Sequence, residues 1–211
     1  MSSARAPGAE WPITTLSADI AQLAAQVLTR AFFDDPLNLW LLPDEAERTA
    51  VLPGIFEAIV RGGVMQNAAW AAGPGVRGVA SWLPPGVIEL PDQQSEAAGF
   101  GAAIAAMGEA AGARAAIAFP HFARLRARAM PEDHWYLGLL GVEPSEQGRG
   151  IGAALIRAGL ALADASRVPA YLETLKLRNV AFYEGHGFQV VDSHELPAGG
   201  PRYWTMRREP R

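Results

Sequence analysis

Six consecutive residues, Gln147-Gly148-Arg149-Gly150-Ile151-Gly152, form the stretch of this sequence best suited to holding a ligand. They follow an apolar run and precede Ala153 to Ser166, where Leu155, Ile156, Gly159, Leu160, Leu162 and Ala163 recur at helical spacing. Glycine lets backbone N–H groups turn toward a ligand with no side chain in the way, and a helix N-terminus adds partial positive charge there. An anion, above all a phosphate, is the natural occupant of such a turn; a tight turn with glycines serving only packing is the plainer alternative. Candidates for proton chemistry flank the loop. His134 stands just before the apolar run, Glu173 near the end of the next one, and Tyr183 in the segment Asn179-Val180-Ala181-Phe182-Tyr183-Glu184. Taken alone, each has a bland role: a strand-end histidine at the surface, a glutamate paired with an arginine, a tyrosine packing a short helix.

Other chemistries are excluded or weakened by what is missing. A nucleoside triphosphate loop needs Gly-Lys followed by Ser or Thr, and the chain has no Gly-Lys. A dinucleotide fingerprint finds Gly148, Gly150 and Ala153, with Glu173 about 20 residues on. Against it, Glu143 to Gln147 separate the strand from the first glycine, and only about 60 residues follow. There is no cysteine, so disulfides, thiolate nucleophiles and cysteine zinc sites drop out together. The four histidines, His121, His134, His186 and His194, never fall at i, i+4, so no metal is expected. The net charge of -4 and pI near 5.6 give no general affinity for nucleic acid or anionic membranes. No apolar run reaches the ~20 residues of a membrane span. A cytoplasmic protein is expected, and residues 1–10, rich in Ser, Ala, Pro and Gly, read as a flexible tail before a single domain over 11–211.

The elements that must position these residues follow from periodicity. Trp11 to Leu16 reads as a strand and Asp19 to Phe33 as a helix stopped by Asp34-Asp35-Pro36. A second helix runs from Pro43 to about Arg61, with Pro53 expected to kink or divide it. Ala68 to Gly73 and Val76 to Leu83 form a hairpin, and Gln94 to Met130, rich in Ala, Arg and Gly, forms helices of uncertain limits. Trp135 to Val142 and Ala170 to Leu175 are buried strands, Asn179 to His186 a short helix, and Phe188 to Leu196 and Tyr203 to Arg207 two more strands. Strand, helix, strand, helix, strand is an α/β pattern with crossover connections.

The loop at 147–152 matches the Q/R-x-x-G-x-G/A motif of the GNAT superfamily of N-acetyltransferases, and Asn179 to Glu184 followed by Gly187-Phe188 resembles that family's second signature, in the right order and at the right distance. His134-Trp135-Tyr136-Leu137, Gly141-Val142, Tyr171-Leu172-Glu173-Thr174, Arg178-Asn179 and Pro201-Arg202-Tyr203-Trp204 further resemble the branch containing puromycin N-acetyltransferase. The close match covers about 135–208; upstream, only the order of elements agrees.

The resemblance implies a mixed central sheet with two splayed strands, flanked by helices. It implies that acetyl-coenzyme A lays its pyrophosphate on Gln147, Gly148, Arg149, Gly150, Ile151 and Gly152, and its pantetheine along the main chain of Leu140, Gly141 and Val142, with Asn179, Phe182 and Tyr183 beside it. The acetyl group would pass directly to a primary amine of a small molecule through a tetrahedral intermediate, with Tyr183 donating to the leaving sulfur. Many relatives carry a carboxylate where this chain has Tyr136, so the base falls to Glu173 or His134, or is replaced by a water chain or by an amine already partly neutral. Asp34 and Asp35 read as substrate-facing or as turn residues, and Trp40, Trp82 and Trp204 as an acceptor pocket or as core. A protein N-terminus or a lysine side chain as acceptor, and a noncatalytic coenzyme-binding module, are the competing readings; a monomer or homodimer is expected.

Overall fold

In the computed structural model, which describes residues 11–87 and 89–211, seven strands form one sheet. In chain order they are β1 (Ile13–Thr15), β2 (Ala69–Ala72), β3 (Gly78–Leu83), β4 (Trp135–Val142), β5 (Ala170–Thr174), β6 (Gln189–Glu195) and β7 (Arg202–Arg208). Their spatial order is β1-β2-β3-β4-β5-β7-β6. All neighbours are antiparallel except β4 and β5. That parallel pair is joined by the crossover helix α7 (Ile151–Ser166), as parallel connections require. The expected flexible tail at 1–10 lies outside the described residues.

The helices are α1 (Ala21–Phe32), α2 (Pro36–Leu41), α3 (Glu45–Met65), α4 (Asp92–Ala98), α5 (Phe100–Ala106), α6 (Gly108–Ala129), α7, and α8 (Leu177–Glu184). Two of them differ from the sequence expectation. The helix stop expected at Asp34-Asp35-Pro36 is also a start: Asp35 accepts the Leu37 N–H at 3.1 Å and Pro36 takes the first helical position of α2. Pro53 does not divide α3, which runs on through it; Val51, Leu52 and Phe56 bury their side chains in the core there, and packing compensates for the missing backbone bond. In the Ala/Gly stretch, only the glycines in left-handed backbone end helices: Gly99 at φ 95° and Gly108 at φ 75°, whereas Gly101 and Gly112 lie inside α5 and α6.

Alternation along the strands sends residues to two cores. Ala69, Ala71 and Val79 pack with α1 and α3, while Ala80, Trp82, Leu137 and Leu172 pack with α7 and α8. Gly141 permits the first packing: a Cβ there would lie 2.7 Å from Leu28 Cδ2 and 3.0 Å from Phe32 Cε2. The C-terminal strand is anchored by buried Arg208, whose Nη1 and Nη2 donate to the Asp164 carboxylate of α7 at 2.7 and 2.9 Å. Among the described residues, no helix is long and apolar enough to cross a membrane.

Candidate active site

The site is an opening in the sheet. β4 and β5 pair only from Trp135/Ala170 to Leu137/Leu172, although β4 continues to Val142 and β5 to Thr174. Beyond that point Leu140, Gly141 and Val142 are paired with Ala80, Val79 and Gly78 of β3 on one side and leave their β5-facing edge open. On β4 a register shift opposite Ser81 and Trp82 leaves Gly138 as an extra residue, a bulge where the strands part. A cavity of about 570 Å³ occupies the gap, walled by 136–140 of β4 and by Glu173, Thr174, Asn179 and Tyr183. Its remaining walls come from α1, α2, α3, β3 and the α4–α6 insertion and carry Phe32, Phe56, Phe100, Phe119 and Phe122, five of the chain's eight phenylalanines.

Glu173 is a carboxylate on the β5 wall of that cavity. Its Oε1 is shut off from solvent and has no hydrogen-bond partner, and the Tyr171 hydroxyl beside it is in the same condition. Burial pushes its pKa up to about 7; the Arg126 charge opposes this most, followed by the phenols of Tyr136 and Tyr171. Arg126, itself buried on α6, lies with Cζ 4.1 Å from the Tyr136 ring centroid. A buried carboxyl group poised near neutrality is suited to accepting a proton at ordinary pH.

Tyr183, buried on α8, reaches the same cavity. Burial first, and the Asp35 charge second, hold its phenol above the ordinary range, so it stays protonated and can donate. Asp35 is buried at the α1–α2 junction and pairs with Lys176 Nζ at 3.4 Å; its own carboxyl is raised by burial against the opposing Lys176 charge. Asn179 donates from Nδ2 to Thr174 Oγ1 at 3.3 Å and so ties α8 to the end of β5. Asn179 lies inside α8 and does not open it, because the helix begins two residues earlier with Lys176 as N-cap.

The glycine loop lies at the outer end of the same opening. Gly148 at φ 75° and Gly150 at φ 82° have open space where a Cβ would stand, and Gly150 is the N-cap of α7. The first N–H groups of α7 therefore face outward with the helix dipole behind them. A second hollow of about 630 Å³ adjoins this end, lined by Gln147 and by the cations Arg30, Lys176 and Arg178. Phe182 buttresses the turn, its ring 3.5 Å from the Cβ position of Gly152. Arg149 is bound to Glu146, which also meets Arg77 at 3.5 Å, so its charge is already engaged. Of these cations Arg30 is already paired with Glu143 at 2.8 Å and Lys176 with Asp35 at 3.4 Å, so the open backbone donors and the helix N-terminus are what suit a phosphorylated coenzyme best, and the unpaired edge at 140–142 suits an amide-bearing arm.

The remaining candidates fall elsewhere. His134 precedes β4, with Nδ1 2.9 Å from the Glu132 carbonyl and its ring edge-on to Tyr171 at 5.9 Å; it is not among the cavity walls, and burial lowers its pKa. Of the three tryptophans only Trp82 touches the cavity; Trp40 packs against Leu196 and Tyr203. Sequence reasoning missed Arg126 and the phenylalanines of α5 and α6, since an Ala-rich helix with scattered aromatics carries no sign of which face it turns inward.

These features have a family. The sequence model of the Acetyltransferase (GNAT) family matches residues 65–188, and the chain belongs to it: it is an N-acetyltransferase with the GNAT fold. A Schizosaccharomyces pombe protein described as an uncharacterized N-acetyltransferase is 30% identical over 177 residues, 81% of this chain and 71% of its own. Among solved structures, a histone acetyltransferase HPA2 and related acetyltransferase from Corynebacterium glutamicum superposes with a TM-score of 0.67 at 21% identity, covering 96% of this chain and 98% of that one. Arylalkylamine N-acetyltransferase 2 from Aedes aegypti gives 0.61 at 14% identity, covering 95% and 99%.

Proposed function

We propose that this protein, acting in the cytoplasm as one domain over 11–211, transfers the acetyl group of acetyl-coenzyme A to the primary amine of a small molecule with an apolar body. The observation that carries the reading is the placement of Glu173 and Tyr183 on the walls of one cavity, a raised carboxyl and a protonated phenol. Coenzyme A supplies an activated acyl group. Residues 147–152 and the first turn of α7 hold its phosphates, Arg178 adds charge, and the open edge at 140–142 receives its arm.

Within the cavity Glu173 takes a proton from the bound ammonium and frees the nitrogen lone pair. Tyr183 gives its phenolic proton to the departing sulfur and regains one from the nitrogen once the amide has formed. The acceptor's body meets phenylalanine on α5 and α6, and its charge meets an acidic lining, since Glu89, Asp92 and Glu173 stand there against Arg126, with Asp35 already paired to Lys176. That lining favours a cationic amine over an amino acid, whose carboxylate would be repelled. The likeness to the puromycin branch belongs to this reading and rests on the motifs at 134–137, 171–174 and 201–204. A panel of amines, scored by thiol release from acetyl-coenzyme A, tests the function: turnover with apolar primary amines is expected, and coenzyme binding without turnover of any amine would leave only the binding module.

A further inference from the structure

The glycine loop can hold an anion only while its backbone turns N–H groups, and not carbonyls, toward the ligand. Its own sequence does not fix that choice. Gly148 and Gly150 stand at φ 75° and 82°, and glycine takes either sign of φ with ease, so the peptide unit between Arg149 and Gly150 could turn over at little cost. Turned over, it would set a carbonyl oxygen where a phosphate is to lie. One contact from far along the chain holds that unit: the Trp11 indole Nε1 donates to the Arg149 carbonyl at 2.8 Å, across 138 positions. A trans peptide is planar and its C=O and N–H point in opposite directions. With the carbonyl held on the Trp11 side, the Gly150 N–H points away from it, and no side chain crowds Gly150, where a Cβ would meet nothing within 4 Å.

Trp11 is itself held in place for this contact. Gly73, in left-handed backbone at φ 75° just after β2, donates its N–H to the Pro12 carbonyl at 2.9 Å. A Cβ on Gly73 would stand 3.0 and 3.1 Å from Cε3 and Cζ3 of the indole, so glycine is what lets the ring lie so close to the turn. The ring also packs against the core cluster that contains Ile151 and Leu155 of α7. The same hairpin grips the other flank of the loop: the Glu143 N–H donates to the Arg77 carbonyl at 2.9 Å, and Glu146 meets both Arg77 and Arg149. A phenylalanine at position 11 would serve packing alone; tryptophan adds an N–H donor at the ring edge, and that donor is the part aimed at the loop.

We infer that Trp11 is a positioning residue for coenzyme binding: its indole N–H fixes the orientation of the 149–150 peptide, so that the glycine loop offers the pyrophosphate a donor and not an acceptor. The inference rests on the pyrophosphate lying against residues 147–152. Trp11 acts through the loop and is not among the walls of the cavity where acetyl group and amine meet. Its influence therefore falls on the affinity of donors that carry the pyrophosphate and leaves the chemical step alone.

Trp11→Phe tests it, because it keeps an aromatic ring against Gly73 and removes only the donor. The Kd of acetyl-coenzyme A, measured by calorimetry, should rise about tenfold, while kcat at saturating coenzyme and the KM of an apolar primary amine stay at the wild-type values. S-acetylpantetheine, a donor with the same thioester arm and no pyrophosphate, should serve variant and wild type equally, which a general loosening of the fold would not allow. A Kd within about twofold of wild type, with binding still weakened in Gly150→Val, overturns the role of Trp11 and leaves the phosphate loop standing. Equal losses with both donors return Trp11 to packing and overturn it as well. Unchanged coenzyme affinity in folded Gly150→Val overturns the reading of the loop and this inference with it.

Discussion

The Arg126 guanidinium lies 4.1 Å over the ring of Tyr136, and the two residues bind the insertion to the sheet on the cavity wall. Tyr136 holds the β4 position where the family resemblance leads one to look for a carboxylate. With an aromatic face there, the cation is received by a ring and the acidic group comes from the neighbouring strand as Glu173. Arg126 favours the Glu173 anion, burial disfavours it more, and the balance leaves a carboxyl that titrates near neutrality.

The pH dependence of turnover follows from that balance. Below about 7, Glu173 is protonated and cannot accept a proton; above it, the carboxylate is available. With chemistry rate-limiting, kcat should rise about tenfold per pH unit toward a plateau above 7. Glu173→Gln should lose at least ~100-fold and flatten the acid limb, as read from kcat between pH 5 and 9.

Tyr183→Phe keeps the ring that packs near Phe182 and Phe188 at 5.2 and 6.0 Å and removes only the donor. Acetyl-coenzyme A affinity should hold while kcat drops on the order of a hundredfold. A thiol has a pKa near ~8.5, so its anion leaves tolerably well unaided, which caps the loss. Single-turnover measurement on an amine substrate checks it, and activity within threefold of wild type would return Tyr183 to a packing role.

Gly150→Val faces two obstacles. The backbone at φ 82° is strained for a branched residue, and the new side chain would enter the open space before the N-terminus of α7. Coenzyme affinity measured by calorimetry should weaken by more than tenfold in protein shown to be folded by circular dichroism.

Arg149→Ala should cost little. Its guanidinium is bound to Glu146, and a partly exposed charge contributes about 1 kcal/mol or less, within tenfold in Kd. Titration with acetyl-coenzyme A at physiological salt would contradict this by showing a hundredfold loss.

Asp164→Ala should lower stability by about 2 kcal/mol, because buried Arg208 loses two charge-assisted hydrogen bonds. Arg208 holds the Asp164 carboxyl below its ordinary range, so the native state binds that proton less readily than the unfolded one. The contribution is present above the unfolded pKa near ~3.9 and is lost as pH falls through the lower folded value. Urea unfolding at pH 7 and pH 3 should therefore show a smaller gap between wild type and variant in acid.

By itself the sequence determined the parts whose chemistry is local. Periodicity placed β4 at Trp135–Val142, and glycine spacing placed the glycine loop before α7, because turn geometry and helix entry depend on adjacent residues. The second signature likewise put Asn179, Phe182 and Tyr183 on one short helix. It did not choose between Glu173 and His134, since burial and a charge from α6 decide which group titrates near neutrality. Only the tertiary structure turned Phe100, Phe119, Phe122 and Arg126 toward the cavity, from helices whose Ala-rich pattern marks no clear inner face. Only the assembled sheet brought Trp11, just ahead of β1, to the Arg149 carbonyl 138 residues away. Long-range register is a property of the assembled sheet, where residues distant in the chain become neighbours.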